Sequence, residues 1–146
     1  VGAVRDITPL LNEEGIIGFE NDLFVNSGQI MAAVPHHPVV QAMIEEYRKL
    51  HYMQPDGSVT PVGCPRLNTD VMERFGLVRN GLEQSVAGIH VYPADYFNPL
   101  DSATGKLIKT ENTYSIHWYS MSWQPKTTQI RVKIGRRECR LVRRSY

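Results

Sequence analysis

The chain has 146 residues, of which 42% are hydrophobic and 21% charged, and its net charge is +1. These are the proportions of a soluble globular protein, long enough for one domain with a real core. No apolar run approaches the ~20 residues of a membrane-spanning helix, and the opening VGAVRDITPL has neither the charged leader nor the long apolar block of a signal peptide.

The first residue is Val rather than Met, as expected of a processed, trimmed or partial chain. Thr8-Pro9 reads as the start of a short helix, with Thr8 as cap and Pro9 at the first helical position. IIGFE, residues 16 to 20, reads as a buried strand, and SGQIMAAV, 27 to 34, as a second one with lighter side chains. The clearest helix opens at His37-Pro38 and ends near Leu50. Val39, Val40, Met43, Ile44 and Tyr47 share its inner face, and Glu45, Glu46, Arg48 and Lys49 the outer one. QPDGSVTPVG, 54 to 63, is a loop. A second helix starts near Pro65 with Leu67, Val71, Met72 and Phe75 inside, and Gly76 stands at its C-terminal cap. GIHVYP, 88 to 93, is a strand stopped by Pro93, and YFNPLDSATGK a loop with hairpin chemistry at Thr104-Gly105.

NTYSIHWY, 112 to 119, reads as a further strand. Side chains alternate faces along a strand. Tyr114, Ile116 and Trp118 therefore share an apolar face, and Ser115, His117 and Tyr119 the other, which would line a cleft. Both tryptophans of the chain, Trp118 and Trp123, lie in YSIHWYSMSW. Beyond Pro125, IRVKI alternates like a strand, yet a helix interrupted by Gly135 reads equally well. Strands mixed with two main helices give an α/β or α+β fold, and α/β with a mixed sheet is the arrangement expected.

Charge is uneven. Residues 126–146 carry eight basic side chains and one acid, and residues 1–125 eight basic and fourteen acidic ones. Such a tail meets an anionic partner or packs on the acidic body. An anionic membrane surface is the favoured partner, and nucleic acid is not expected. The two cysteines, Cys64 and Cys139, lie in no CxxC or Cys/His pattern, so free thiols are expected.

Several motifs stand in order: GFEN (18–21), FVNSGQIMAAVPHHPVV (24–40), VGCPRLNTDVM (62–72), VYPADYFNP (91–99) and YSIHWYSMSW (114–123). This order resembles the nucleotide-sugar glycosyltransferases with the DXD sugar-binding motif, a family that includes initiation-specific mannosyltransferases and capsular-polysaccharide enzymes. The resemblance covers about residues 1–125 and leaves 126–146 as a basic tail. Cys64, Trp118 and His36 depart from the family's pattern. No Asp-x-Asp occurs in the chain. The resemblance therefore implies the C-terminal half of a GT-A-like transferase, without the half that holds the nucleotide. It further implies a retaining transfer of a hexose from a nucleotide-sugar donor to a glycan or lipid-linked acceptor, with Mn²⁺ or Mg²⁺ as cofactor. A cytoplasmic location at the inner membrane face follows from the same reading.

By that resemblance His117 contacts the metal or the donor diphosphate. Ser122 and Trp123 lie against the diphosphate, as both carry N–H or O–H donors; Trp123 reads equally as a packing anchor. Glu20, Asn21, Asp22 and Asn26 cluster after a buried strand and suit the hydroxyls of a sugar or acceptor, or form an ordinary polar turn. Gly28 admits close approach of a sugar. Gly63 and Pro65 open a helix whose amides suit an anion or hydroxyl, or are a plain helix entry. His36-His37 reads first as cap and turn. No catalytic base is assigned. The alternative function is a non-catalytic module that binds carbohydrate or a partner chain. Half of a transferase exposes a sheet edge and an apolar face, so an oligomer or a partner chain is expected.

Overall fold

The computed structural model describes residues 1–51, 53–58 and 62–119. It is a mixed α/β fold. The strands are β1 (Gly2–Ala3), β2 (Gly15–Asn21), β3 (Phe24–Val25), β4 (Met31–Ala33), β5 (Gln84–Val86), β6 (Ile89–Tyr92) and β7 (Ser115–Ile116). The helices are α1 (Pro38–Arg48), α2 (Cys64–Glu73) and a short α3 (Ala94–Phe97). β2 is the centre of the five-stranded sheet. One of its edges pairs with β6 in parallel, Gly15 opposite Ile89 through Gly18 opposite Tyr92. Its other edge is shared: β4 lies antiparallel along Gly15–Ile17 and β3 along Phe19–Asn21. β5 closes on β6 as a hairpin, and β1 with β7 forms a separate two-stranded ribbon.

Period-two alternation on β2 explains the two cores. Ile17 and Phe19 face α1 and α2, where they pack with Val39, Met43, Val71 and Met72, and Ile89 and Val91 of β6 join them. Ile16 points to the opposite face and meets Leu10, Tyr92 and Phe97. Gly18 shares that face, directly under the Phe97 ring. Both faces of β2 are covered, so Gly15 through Phe19 are all buried. Glu20, the next residue on the α3 face, falls where the cover ends.

Several sequence expectations hold. His37 caps α1, its Nδ1 accepting from Val39 N at 3.2 Å. Gly76 N–H closes on Glu73 O after α2, and Leu100 bridges Leu107 around the turn at Thr104-Gly105. Others are corrected. The first short helix, Thr8–Leu10, is a single 3₁₀ turn with Ile7 at its N-cap position; Thr8 is its first residue, not the cap, and its N–H donates to Asp6 Oδ1 at 3.0 Å. The strand expected over 27–34 starts only at Met31, because Asn26 Oδ1 takes Gly28 N–H and folds 27–29 into a turn. Ile44 and Tyr47 of α1 remain exposed. Tyr47 instead sends its hydroxyl to Asn68 Oδ1 at 3.4 Å.

The strand expected over 112–119 is two residues long, since its partner β1 has only Gly2 and Ala3. Parity fails after that: Trp118 is 49% exposed, beside Gly2, and not in the core. The β5–β6 hairpin escapes sequence reading. Its turn is Ala87-Gly88, both at positive φ (48° and 86°), without the Asn-Gly or Asp-Gly signature of such turns. IRVKI, Cys139 and the basic tail lie outside the described residues.

A Cβ on Gly18 would lie 2.7 Å from Phe97 Cδ2, and Phe97 is fully buried. Gly18→Ala is expected to lower stability by about 1–3 kcal/mol, read as a lower urea midpoint with an unchanged slope. A wild-type midpoint would show that the ring moves freely.

Candidate functional site

The two parallel strands end at the same place. β2 delivers Glu20 and Asn21, and β6 runs through Pro93 into α3, which delivers Asp95 and, just after it, Asn98. The C-terminal ends of parallel strands are where α/β folds hold ligands, because connecting loops diverge there and leave a crevice. A cavity of about 410 Å³ opens at this point. Its wall includes Glu20, Asn98, Asp95, Thr110 and Tyr119, and Pro99, Leu100 and Ile108 are its apolar part. The volume lies within the range of about 300–1,000 Å³ for small-molecule sites.

Glu20 is held from both sides. Tyr119 Oη donates to Glu20 Oε1 at 2.9 Å, and Asn26 Nδ2 donates to Oε2 at 3.2 Å. Asn98 Nδ2 donates both to the Glu20 carbonyl at 2.8 Å and to Tyr119 Oη at 2.7 Å. Asn26, itself buried, accepts at Oδ1 from Gly28 N at 2.7 Å and from Cys64 Sγ at 3.6 Å. Hydrogen bonds thus tie the ends of β2, α3 and β7 and the start of α2 to one carboxylate. Tyr119 reaches it from a left-handed backbone, φ 47°, which is costly for an aromatic residue and recurs at functional sites.

Burial and then the Glu20 charge push the Tyr119 phenol above its ordinary value, so it stays a hydrogen-bond donor. The same two causes raise the Cys64 thiol, which is free and half-buried. The His117 ring packs against that of Tyr119, tilted by 44° with centroids 4.3 Å apart. Burial holds its imidazole below the usual range, which favours the neutral ring.

The buried Gln29 amide lies against the Tyr119 phenol and acts on it as a hydrogen-bond partner. Other buried polar atoms around this carboxylate lack partners. Asn98 Oδ1 and His117 Nδ1 are unpaired. Each such atom costs about 1–3 kcal/mol if left so, and unpaired groups of this kind mark sites completed by something else.

Among the residues predicted from sequence, the structure brings Glu20, Asn21 and Asn26 together, and His117 stands beside them through Tyr119. Asn21 has a turn-forming role as well: its Oδ1 accepts from Leu23 N and Phe24 N. Asp22 is exposed against the Gly81 loop and does not line the cavity. Gly28 is exposed and gives its backbone N–H to Asn26 Oδ1, the one side chain that an added Cβ there would meet. Gly63 is the exposed N-cap of α2. Ser122 and Trp123 lie outside the described residues. Asn98, Asp95 and Gln29 were missed. The Asn98-Pro99 step after Tyr96-Phe97 is the only hint the sequence offers for them.

No three His, Cys, Asp or Glu side chains among the described residues form a group able to hold a metal ion. Glu20 already accepts at both oxygens, and His117 Nδ1 is the unpaired donor nearby. The described residues do not make an Mn²⁺ or Mg²⁺ cage by themselves.

Because the folded-state pKa of Tyr119 is raised, its contribution to stability is complete below the ordinary phenol value of about 10 and declines as pH rises above it. Tyr119→Phe is expected to flatten the loss of stability measured by chemical denaturation between pH 9 and about 11. A variant with the wild-type alkaline slope would mean that Tyr119 titrates as a free tyrosine.

Comparison of the chain with protein-family models, curated proteins and solved structures finds no match.

Proposed function

We propose that this chain forms the sugar-binding side of a nucleotide-sugar-dependent glycosyltransferase, the C-terminal half of a GT-A-like fold. The observation that carries the reading is Glu20: a carboxylate at the C-terminal end of a parallel strand pair, fixed by Asn26 and Tyr119, beside a cavity walled by carboxylates, amides and hydroxyls. A carboxylate oxygen has lone pairs beyond the one each existing bond uses. Glu20 can therefore accept from sugar hydroxyls while its orientation stays locked. Such fixed acceptors cost little reorganisation when the ligand arrives.

The ordered motifs supply the rest of the proposal. The donor diphosphate would lie toward His117, with Ser122 and Trp123 as further donors. A bound Mn²⁺ or Mg²⁺ would neutralise the departing diphosphate, and the neutral His117 imidazole is the group described here that would face it. Tyr119 donates its phenol O–H to Glu20 and so fixes the direction in which that carboxylate faces a ligand. The acceptor is a glycan or a lipid-linked sugar, and the basic segment 126–146 would hold the enzyme against an anionic membrane face. Among the described residues no helix is long and apolar enough to cross a membrane.

In the natural full-length protein, Mn²⁺ with a UDP- or GDP-hexose is expected to raise the thermal midpoint. A hundredfold excess over Kd stabilises by about 2.7 kcal/mol. His117→Ala is expected to remove the Mn²⁺-dependent part. A wild-type protein that shows no shift with either donor refutes the transferase reading. Stabilisation by free sugars alone would favour a non-catalytic carbohydrate-binding module.

A further inference from the structure

The outer edge of β4 has the features of a strand receptor. β4 pairs with β2 through Gly15 and Ala33, Ile16 and Ala32, and Ile17 and Met31, and Val34 N–H continues the ladder to Glu14 O at 2.7 Å. Bonding groups alternate along an antiparallel strand. Val34 and Ala32 therefore bond toward β2, and Met31 and Ala33 turn their N–H and C=O away from it. Among the described residues no strand lies beyond them.

A cavity opens on each face of this edge. The first, about 290 Å³, lies between β4 and α1 and is apolar at Val34, Val40 and Ile44. The second, about 200 Å³, lies on the opposite face and is walled by Leu11, Glu13 and Glu14. The side chains of β4 divide the same way: Met31 packs on the core under α1, and Ala32 on the core under α3. Glu13 has His90 Nδ1 at 3.8 Å and Glu14 has His37 Nε2 at 4.0 Å. Among the described residues neither carboxylate pairs with a lysine or arginine.

A strand laid along β4 would send successive side chains to opposite faces. One set would enter the apolar cavity beside α1. The other would cross Leu11 and end at Glu13 and Glu14, which suits the apolar stem and charged head of a lysine or arginine. Main-chain bonds to Met31 and Ala33 would supply affinity and the two cavities specificity. Pro35 has no N–H, so the ladder is short. A second copy joined edge to edge with like faces together would set these carboxylates against their own counterparts.

We infer that the β4 edge and its two cavities form a strand-addition site for an extended segment of another protein in which apolar and basic residues alternate. The inference stands apart from the transferase reading.

The test is amide hydrogen exchange of the 146-residue chain, read by NMR, with the capped peptides TVKVKVT, TVSVSVT and TVEVEVT as probes. Saturating TVKVKVT is expected to slow exchange of the Met31 and Ala33 amides about tenfold. TVEVEVT is expected to bind about tenfold more weakly than TVKVKVT. Glu13→Gln with Glu14→Gln should lower the affinity for TVKVKVT to that for TVSVSVT, which stays unchanged and so reports an intact groove. Ile44→Gln, at a position already 44% exposed, should weaken all three peptides. Equal affinity for TVKVKVT and TVEVEVT, or fast exchange of both amides with every peptide, overturns the inference. So does slow exchange without peptide: if it is independent of protein concentration, a segment of the same chain occupies the edge, and if it grows with concentration, a second copy does.

Discussion

A strand buried on both faces has to stop being apolar where its cover stops, and β2 is built on that constraint. Gly15 to Phe19 are enclosed between α1 and α2 on one side and Leu10, Tyr92 and Phe97 on the other. Gly18 is what lets Phe97 descend onto the sheet. One residue beyond Phe19 the chain places a carboxylate. Glu20 is too costly to bury unpaired, so the surrounding loops converge on it with Asn26, Asn98 and Tyr119. The site is thus the solvation of a strand end by protein groups, and its position follows from the length of the buried run.

The same logic orders the loops. Asn26 ends β3 and folds the following turn, and in doing so aims its amide at Glu20. Asn98 follows a four-residue helix that exists to set Phe97 over Gly18. The core packing and the polar constellation therefore share residues one position apart, apolar and polar in alternation. Beside the second core runs a ladder of rings, Tyr92, Tyr96 and Tyr114, with the Arg5 guanidinium 4.1 Å from the Tyr114 ring centroid. It ties the amino-terminal segment to α3 and β7.

Long periodic segments were legible in the sequence. α1 and α2 announce themselves by spacing, and their entries by His37-Pro38 and Gly63 before Pro65. IIGFE was legible because a short apolar run after Gly15 and before the polar Asn21-Asp22 suits a covered strand. Short elements were not. β1, β3, β5 and β7 have two or three residues each, too few for any period to register, and they exist through their partners. Parity put His117 and Tyr119 on the cleft side but misplaced Trp118, since it presumes a strand that continues and this one ends at Ile116. Of the site, the residues near β2 were visible because polarity breaks out after an apolar run. Asn98 and Gln29 were not, because a lone amide in a loop carries no pattern until the fold shows that it is buried.

The margins of the sheet have a consequence for the life of the molecule in a crowded solution. Among the described residues β4 offers three residues of edge before Val34 and Pro35, and a proline has no N–H to extend a ladder. β5 offers three as well, and the outward amide of Val25 in β3 is already spent on the Thr69 hydroxyl at 3.0 Å. A growing fibril recruits long, flat, vacant strands. Among the described residues this sheet keeps its longest strand, β2, in the middle and has strands of two or three residues at its margins, so the apolar segment IIGF is enclosed while the fold is intact.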